Sequence, residues 1–221
     1  NASAGFSIVT YTGNGSNNAT VGHGLNINPG MVIVKSRSAA YEWPVYHSSL
    51  TAGNNLFLHL TNAQNSVSGT ITAGGIGAVS STTFTCTQGI GNINNTNASS
   101  ATYVAYCFAP VAGYSSGFSY TGNGSADGSF VYLGFRPRLI LLKCSSTTGN
   151  WTLLDTAREG YNVDNDPLYP NLSNAEGTTD LLDITSNGFK LRTTDASVNS
   201  SGATYVGYAW AEAPFAYSRA R

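Results

Sequence analysis

Tyr11-Thr12-Gly13-Asn14-Gly15-Ser16 returns letter for letter as Tyr120-Thr121-Gly122-Asn123-Gly124-Ser125. Pro29-Gly30-Met31-Val32-Ile33-Val34-Lys35 returns as Pro137-Arg138-Leu139-Ile140-Leu141-Leu142-Lys143. Trp43 returns as Trp151, and Ala101-Thr102-Tyr103-Val104-Ala105-Tyr106 as Ala203-Thr204-Tyr205-Val206-Gly207-Tyr208. Four blocks in one order, at nearly one spacing, identify a tandem duplication of a unit of roughly a hundred residues. A unit of that size can bury its own β-core. The boundary is drawn at the Pro/Gly/Ser stretch around Pro110, giving a first unit over 1–110 and a second over 111–221.

Strand signals dominate within each copy. Met31–Val34 and Leu139–Leu142 are apolar runs of buried-strand length, each opened by a Pro and closed by a Lys. Trp43–Tyr46 and Trp151–Leu154 follow closely enough to pair with them as hairpins. Along Thr102–Phe108, Val104, Tyr106 and Phe108 share one face, and Tyr103, Ala105 and Cys107 the other. The second copy keeps the pattern, with Gly207 and Ala209 on the smaller face. Small residues there point to a sheet packed closely opposite. Thr82–Cys86 and Asn187–Leu191 form a further corresponding strand pair. Asn-Gly in each six-residue repeat predicts a type I′ hairpin turn. Helical periodicity is nearly absent. Together these signals predict an all-β fold of two tandem, homologous, antiparallel β-sandwich-like units with some 5–7 strands each.

The 221 residues include 25 Gly and 13 Tyr but only 10% charged residues, against roughly 25% in ordinary soluble domains. The first 112 residues hold one acid, Glu42, and two bases, Lys35 and Arg37. Such a hydroxyl- and amide-rich surface suits secreted, virion or adhesive proteins. It lacks the concentrated basic field that nucleic acid requires. No apolar run reaches membrane-spanning length, so neither nucleic acid nor membrane insertion is expected. Three cysteines, Cys86, Cys107 and Cys144, occupy non-equivalent repeat positions, which predicts buried free thiols and synthesis in a reducing cytoplasm. The chain opens at Asn1 without a signal peptide or initiator Met, and is expected to be processed or part of something longer.

Catalytic patterns are missing from the sequence: there is no GxSxG and no HExxH, and no nucleotide fingerprint follows either Gly-Asn-Gly. An enzyme is not expected, nor a cofactor. Asn162, Asp164 and Asp166 have the first spacings of a calcium loop, but Pro167 and Ser173 stand where Gly and Glu are required. A solvated turn is the better reading, and no metal is assigned. The copies differ most between the Trp-led and Phe-centred strands, and unit-specific loops on a shared scaffold are where specificity resides. Tyr161, Asn162, Asp164, Asp166 and Tyr169 are therefore the candidate ligand-binding residues. Lys35 and Lys143 read as strand-end cations guarding an exposed edge, with an anchor for an acidic ligand as the alternative. Trp43 and Trp151 read as core anchors, with sugar stacking as theirs.

The run Tyr11–Gly15, Val21-Gly22-His23-Gly24-Leu25, Pro29–Lys35, Trp43–His47 and Ala101–Ala109 resembles a duplicated C-terminal β-domain of bacteriophage virion proteins. Such domains occur especially in tail-fibre and tail-associated proteins of aquatic phages. Ser119–Gly128, Phe135–Pro137 and the ending Ala213–Arg221 share the resemblance, which spans nearly the whole chain. It implies a non-enzymatic part of a virion, made in the host cytoplasm, with other virion subunits as partners. The function expected is host-surface attachment, as a tail-fibre or adhesin module whose unequal loops contact glycan or another receptor. Fibre modules commonly assemble as homo-oligomers, trimers among them. Capsid decoration or another assembly role is the alternative, and an extracellular filament or adhesin subunit a third.

Overall fold

The computed structural model describes residues 1–66, 74–87, 95–158, 162 and 166–212. Two compact units comprise Asn1–His59 with Gln64–Pro110, and Leu60–Ala63 with Val111–Arg221. Each is a pair of antiparallel sheets, so the protein is all-β and sandwich-like. The first unit contains β1 (Phe6–Thr12), β2 (Ala19–Gly22), β3 (Met31–Ser36), β4 (Pro44–His47), β5 (Asn54–Phe57), β6 (Asn65–Ser66), β7 (Ile76–Val79), β8 (Thr83–Cys86) and β9 (Thr102–Phe108). Its sheets run β1-β9-β3-β4-β5-β6 and β2-β8-β7. The second unit contains β10 (Ser115–Thr121), β11 (Phe130–Tyr132), β12 (Pro137–Cys144), β13 (Trp151–Asp155), β14 (Leu182–Thr185), β15 (Gly188–Leu191), the short helix α1 (Ala196–Asn199) and β16 (Thr204–Ala211). Its sheets run β10-β16-β12-β13 and β11-β15-β14.

The repeat is visible in the register. Tyr11 faces Tyr103 on β9, and Tyr120 faces Tyr205 on β16. Lys35 faces Val104, and Lys143 faces Val206. Val21 faces Phe84, and Val131 faces Phe189. The small face of β9 does point inward: Tyr103, Ala105 and Cys107 are fully buried with Val32, Val34, Ile76 and Phe84. Each large side chain so buried contributes about 1.5–3 kcal/mol. One position shows how the two cores diverged in step. Ala105 faces Val9, whereas Gly207 faces Phe118. A Cβ on Gly207 would lie 2.4 Å from the Phe118 ring, so the larger ring requires the smaller partner.

Three expectations need correction. The Thr-Gly-Asn-Gly segment is not a type I′ hairpin, because β1 and β2 belong to different sheets. It crosses from one sheet to the other, and among its residues only Gly15 and, in the second copy, Gly124 adopt positive φ. Lys35 and Lys143 do not guard an edge, because β3 and β12 each have strands on both sides. The first unit also has nine strands among the described residues, more than expected, because β5 and β6 extend its larger sheet.

Candidate functional site

The crossing segment is held by one asparagine from the far end of each unit. In the first, the Asn97 Oδ1 accepts the Asn14 backbone N–H at 3.0 Å, and its Nδ2 donates to Asn14 Oδ1 at 2.7 Å and the Ser16 carbonyl at 2.8 Å. In the second, Asn199 makes the corresponding bonds to Asn123 and Ser125 and adds one to the Thr193 carbonyl. Gly13 and Gly122 are required by close approach: a Cβ there would sit 2.1 Å from the Ala98 carbonyl oxygen and 2.3 Å from that of Ser200. Beneath each crossing, Tyr11 stacks on Tyr103 and donates to the Thr96 carbonyl at 2.7 Å. Burial pushes the Tyr11 phenol far above its usual range, with the adjacent Cys86 adding to the shift. These groups build the scaffold, and their hydrogen-bonding capacity is used within it.

Beside this crossing lies a cleft of about 340 Å³ between β1 and β2, the terminal strands of the two sheets of the first unit. Val9, Tyr11, Ala19 and Val21 belong to its lining and are partly buried, while Thr10, Thr12, Asn14, Thr20 and Gly22 are exposed. The site thus combines an apolar and aromatic floor with hydroxyls and an amide at its rim, and none of its lining residues is charged. A small apolar surface with a few convergent polar groups is the usual form of a small-ligand site. In the second unit Ser129 Oγ donates to the Thr121 carbonyl at 3.1 Å, bridging from the start of β11 to the end of β10. The cleft residues had no sequence signature, because what brings them together is two strand edges from different sheets.

The residues chosen from sequence lie elsewhere. Tyr161 and Asp164 fall outside the described residues. Asn162 commits both ends of its amide to one strand residue, donating to the Ile184 carbonyl at 2.8 Å and accepting its N–H at 2.9 Å. Asn55, at the matching place of the first copy, treats Ile76 in the same way. Asp166 offers its carbonyl to Arg158, which also pairs with Asp155 and Glu176. Leu168, next to Tyr169, bridges to Leu153 on β13. Burial raises the Tyr169 phenol, with Asp195 nearby adding to the shift. Asn162, Asp166 and Tyr169 therefore belong to a segment stitched against the second unit's sheets. No cluster of His, Cys, Asp and Glu able to hold a metal occurs among the described residues.

Lys35 donates to the Tyr41 carbonyl and lies 5.6 Å from the centre of the Trp43 ring. Lys143 is wholly buried and donates to the Cys144 carbonyl, and burial lowers its ammonium to about 8. Trp151 is buried and Trp43 half-buried. The three histidines each accept a backbone N–H through Nδ1, from Leu25, Ser49 and Trp43 in turn. All three cysteines are buried free thiols. Burial raises Cys107 to about 12 and also raises Cys86. At Cys144 the effect of burial is outweighed by hydrogen bonds to Thr147 and Ser146, and the thiol falls below its usual value.

No curated protein and no solved structure matches the chain. One family does, across both units: its match runs over residues 1–214. The chain belongs to that family, described as a domain of unknown function, DUF7483.

Proposed function

We propose that this chain is a non-enzymatic structural module of a bacteriophage particle, a tail-fibre attachment domain that engages host-surface glycan. The observation that supports it is the cleft between β1 and β2. Its rim of Thr10, Thr12 and Thr20 offers hydroxyl groups without charge, the chemistry that matches a neutral polyol. The floor supplies apolar contact for the carbon face of a sugar ring. The asparagine-locked crossing fixes the cleft walls before a ligand arrives, which limits the ordering cost of binding. Sequence resemblance to phage tail-fibre domains supports placement on the virion surface.

The test is binding of fluorescently labelled protein to host cells, before and after enzymatic stripping of surface polysaccharide. Saturable binding that disappears on stripping supports attachment. Equal binding to stripped cells removes the glycan. No binding by folded protein overturns the attachment reading in favour of capsid decoration or assembly, and cross-linking within intact particles then identifies the neighbouring subunits.

A further inference from the structure

Among the described residues, two aromatic side chains stand out as exposed, and both lie on β11: Phe130 at 47% and Tyr132 at 70%. They flank the buried Val131, so both project from the outer face of the sheet β11-β15-β14. Two residues apart on a strand, they are separated by roughly 6.6 Å, the scale of neighbouring rings in a polysaccharide. Phe130 faces Lys190, and Tyr132 faces Gly188, which has no side chain to cover the ring. On its other side Tyr132 lies against Gly134, where a Cβ would be 3.5 Å from the tyrosine Oη. From Lys190, the cross-strand neighbour of Phe130, runs a chain of ion pairs: Lys190 with Asp127 at 2.8 Å, Arg192 near the same carboxylate, and Arg192 with Asp183. Two cations are thus balanced by two anions.

The matching strand of the first unit has none of this. Val21 takes the place of Val131, and its neighbours are Thr20 and Gly22. The inward residue is kept, while the outward positions change from threonine and glycine to two aromatics. Nothing in the core requires that change, since both side chains stand in solvent.

We propose that the outer face of β11-β15-β14 in the second unit is a carbohydrate-binding platform for a neutral polysaccharide. Phe130 and Tyr132 stack on the apolar faces of successive sugar rings. Lys190, Asp127, Arg192 and Asp183 direct hydrogen bonds to the hydroxyls around them. The balanced charges disfavour nucleic acid, which selects for uncompensated cations. A protein partner is disfavoured because the centre of a protein interface is depleted of charge, whereas here Lys190, paired with Asp127, is the cross-strand neighbour of Phe130. This platform rests on the glycan reading above but is a separate surface from the cleft in the first unit.

The test is affinity electrophoresis of the full chain through gels containing a β-1,3-glucan, a β-1,4-glucan, a galactan or the polyanion alginate. The variants are Phe130→Thr with Tyr132→Ser, and the ring-preserving pair Phe130→Tyr with Tyr132→Phe. Circular dichroism checks that each is folded. The expected result is retardation by at least one neutral polysaccharide, weakened tenfold or more in the Thr/Ser variant and retained in the ring-preserving one. Retardation equal in the wild type and the Thr/Ser variant overturns the platform while leaving the glycan reading standing. Retardation by alginate alone overturns the neutral chemistry. If no neutral polysaccharide retards the wild type, the platform falls, and the stripped-cell assay then decides the wider reading by itself.

Discussion

Tyr120 stacks on Tyr205 with ring centroids 5.0 Å apart and an interplanar angle of 10°, as Tyr11 does on Tyr103 at 5.1 Å and 14°. In both pairs the strand-β1-type tyrosine donates to a backbone carbonyl beneath the crossing, Val198 in the second unit and Thr96 in the first. Tyr120→Phe keeps the stack and leaves the Val198 carbonyl without this donor. The expected loss is about 1–3 kcal/mol. Asn199→Ala removes all its amide bonds at once and is expected to cost about 3 kcal/mol or more. Chemical denaturation of both variants measures these losses, and an unchanged midpoint for Asn199→Ala would show that the crossing is held by something else.

Gly122→Ala introduces a methyl at the Ser200 carbonyl oxygen, whereas at Gly202 a Cβ would meet nothing within 4 Å. Gly202 has φ of 75°, so Gly202→Ala incurs only left-handed strain, about 1–2 kcal/mol. Gly122→Ala is expected to lose about 3 kcal/mol or more, through displacement of backbone. Thermal melts of the two variants should rank in that order, and the reverse order would mean that the crossing backbone yields easily.

Lys143→Met tests the buried ammonium. Below pH 8 the lysine is protonated in both folded and unfolded chains, and folding carries the full cost of burying charge. Between about 8 and 10.5 the folded chain has lost the proton that the unfolded chain retains, so this group's effect on stability improves as pH rises. Methionine has no such dependence. The variant should exceed the wild type by about 3 kcal/mol at pH 7, with the advantage shrinking toward pH 10.5. Cys107, raised to about 12 by burial, acts in the opposite direction: above the unfolded thiol's value the unfolded chain releases a proton that the folded chain keeps, and stability falls. That contribution is common to both proteins and cancels in their difference, which leaves Lys143 together with the Cys144 thiol coupled to it. A gap that stays constant from pH 7 to 10.5 would contradict the assignment.

Thr20→Lys places a long cation on the exposed rim of the neutral cleft. Stability should change by no more than about 0.5 kcal/mol, while saturable cell binding should fall at least tenfold. Unimpaired binding would separate the cleft from attachment and leave the second unit to carry it.

Much of the scaffold was legible because its signals are local. The Pro-led apolar runs, the Trp-led strands and the alternation along Thr102–Phe108 each declare a strand within a few residues. The doubled sequence makes each declaration twice. What failed was the Asn-Gly turn. Its local chemistry favours a hairpin, but Asn14 is recruited by Asn97 from the other end of the unit, and Gly13 is required by a carbonyl from that same region. The two proposed binding surfaces were hidden for a related reason. Thr10 and Thr20 line one cleft only because it lies between the terminal strands of two different sheets. Phe130 and Tyr132 sit in a three-residue strand, too short for alternation to show which face is wet. The chosen loop was the most divergent segment, yet Asn162 spends its amide on fastening that segment down.

Each unit joins its first long strand to its last, β1 with β9 and β10 with β16, and locks that seam with an asparagine reaching back across it. Neither sandwich can close until its final strand is available, so folding must wait on contacts of long sequence separation and should be slow for the chain's size. The same closure acts in reverse under load. Phe6 faces Phe108 and Ser115 faces Trp210, so both ends of a unit leave the same end of its antiparallel ladder, and a pull on them peels the paired strands apart one bond at a time.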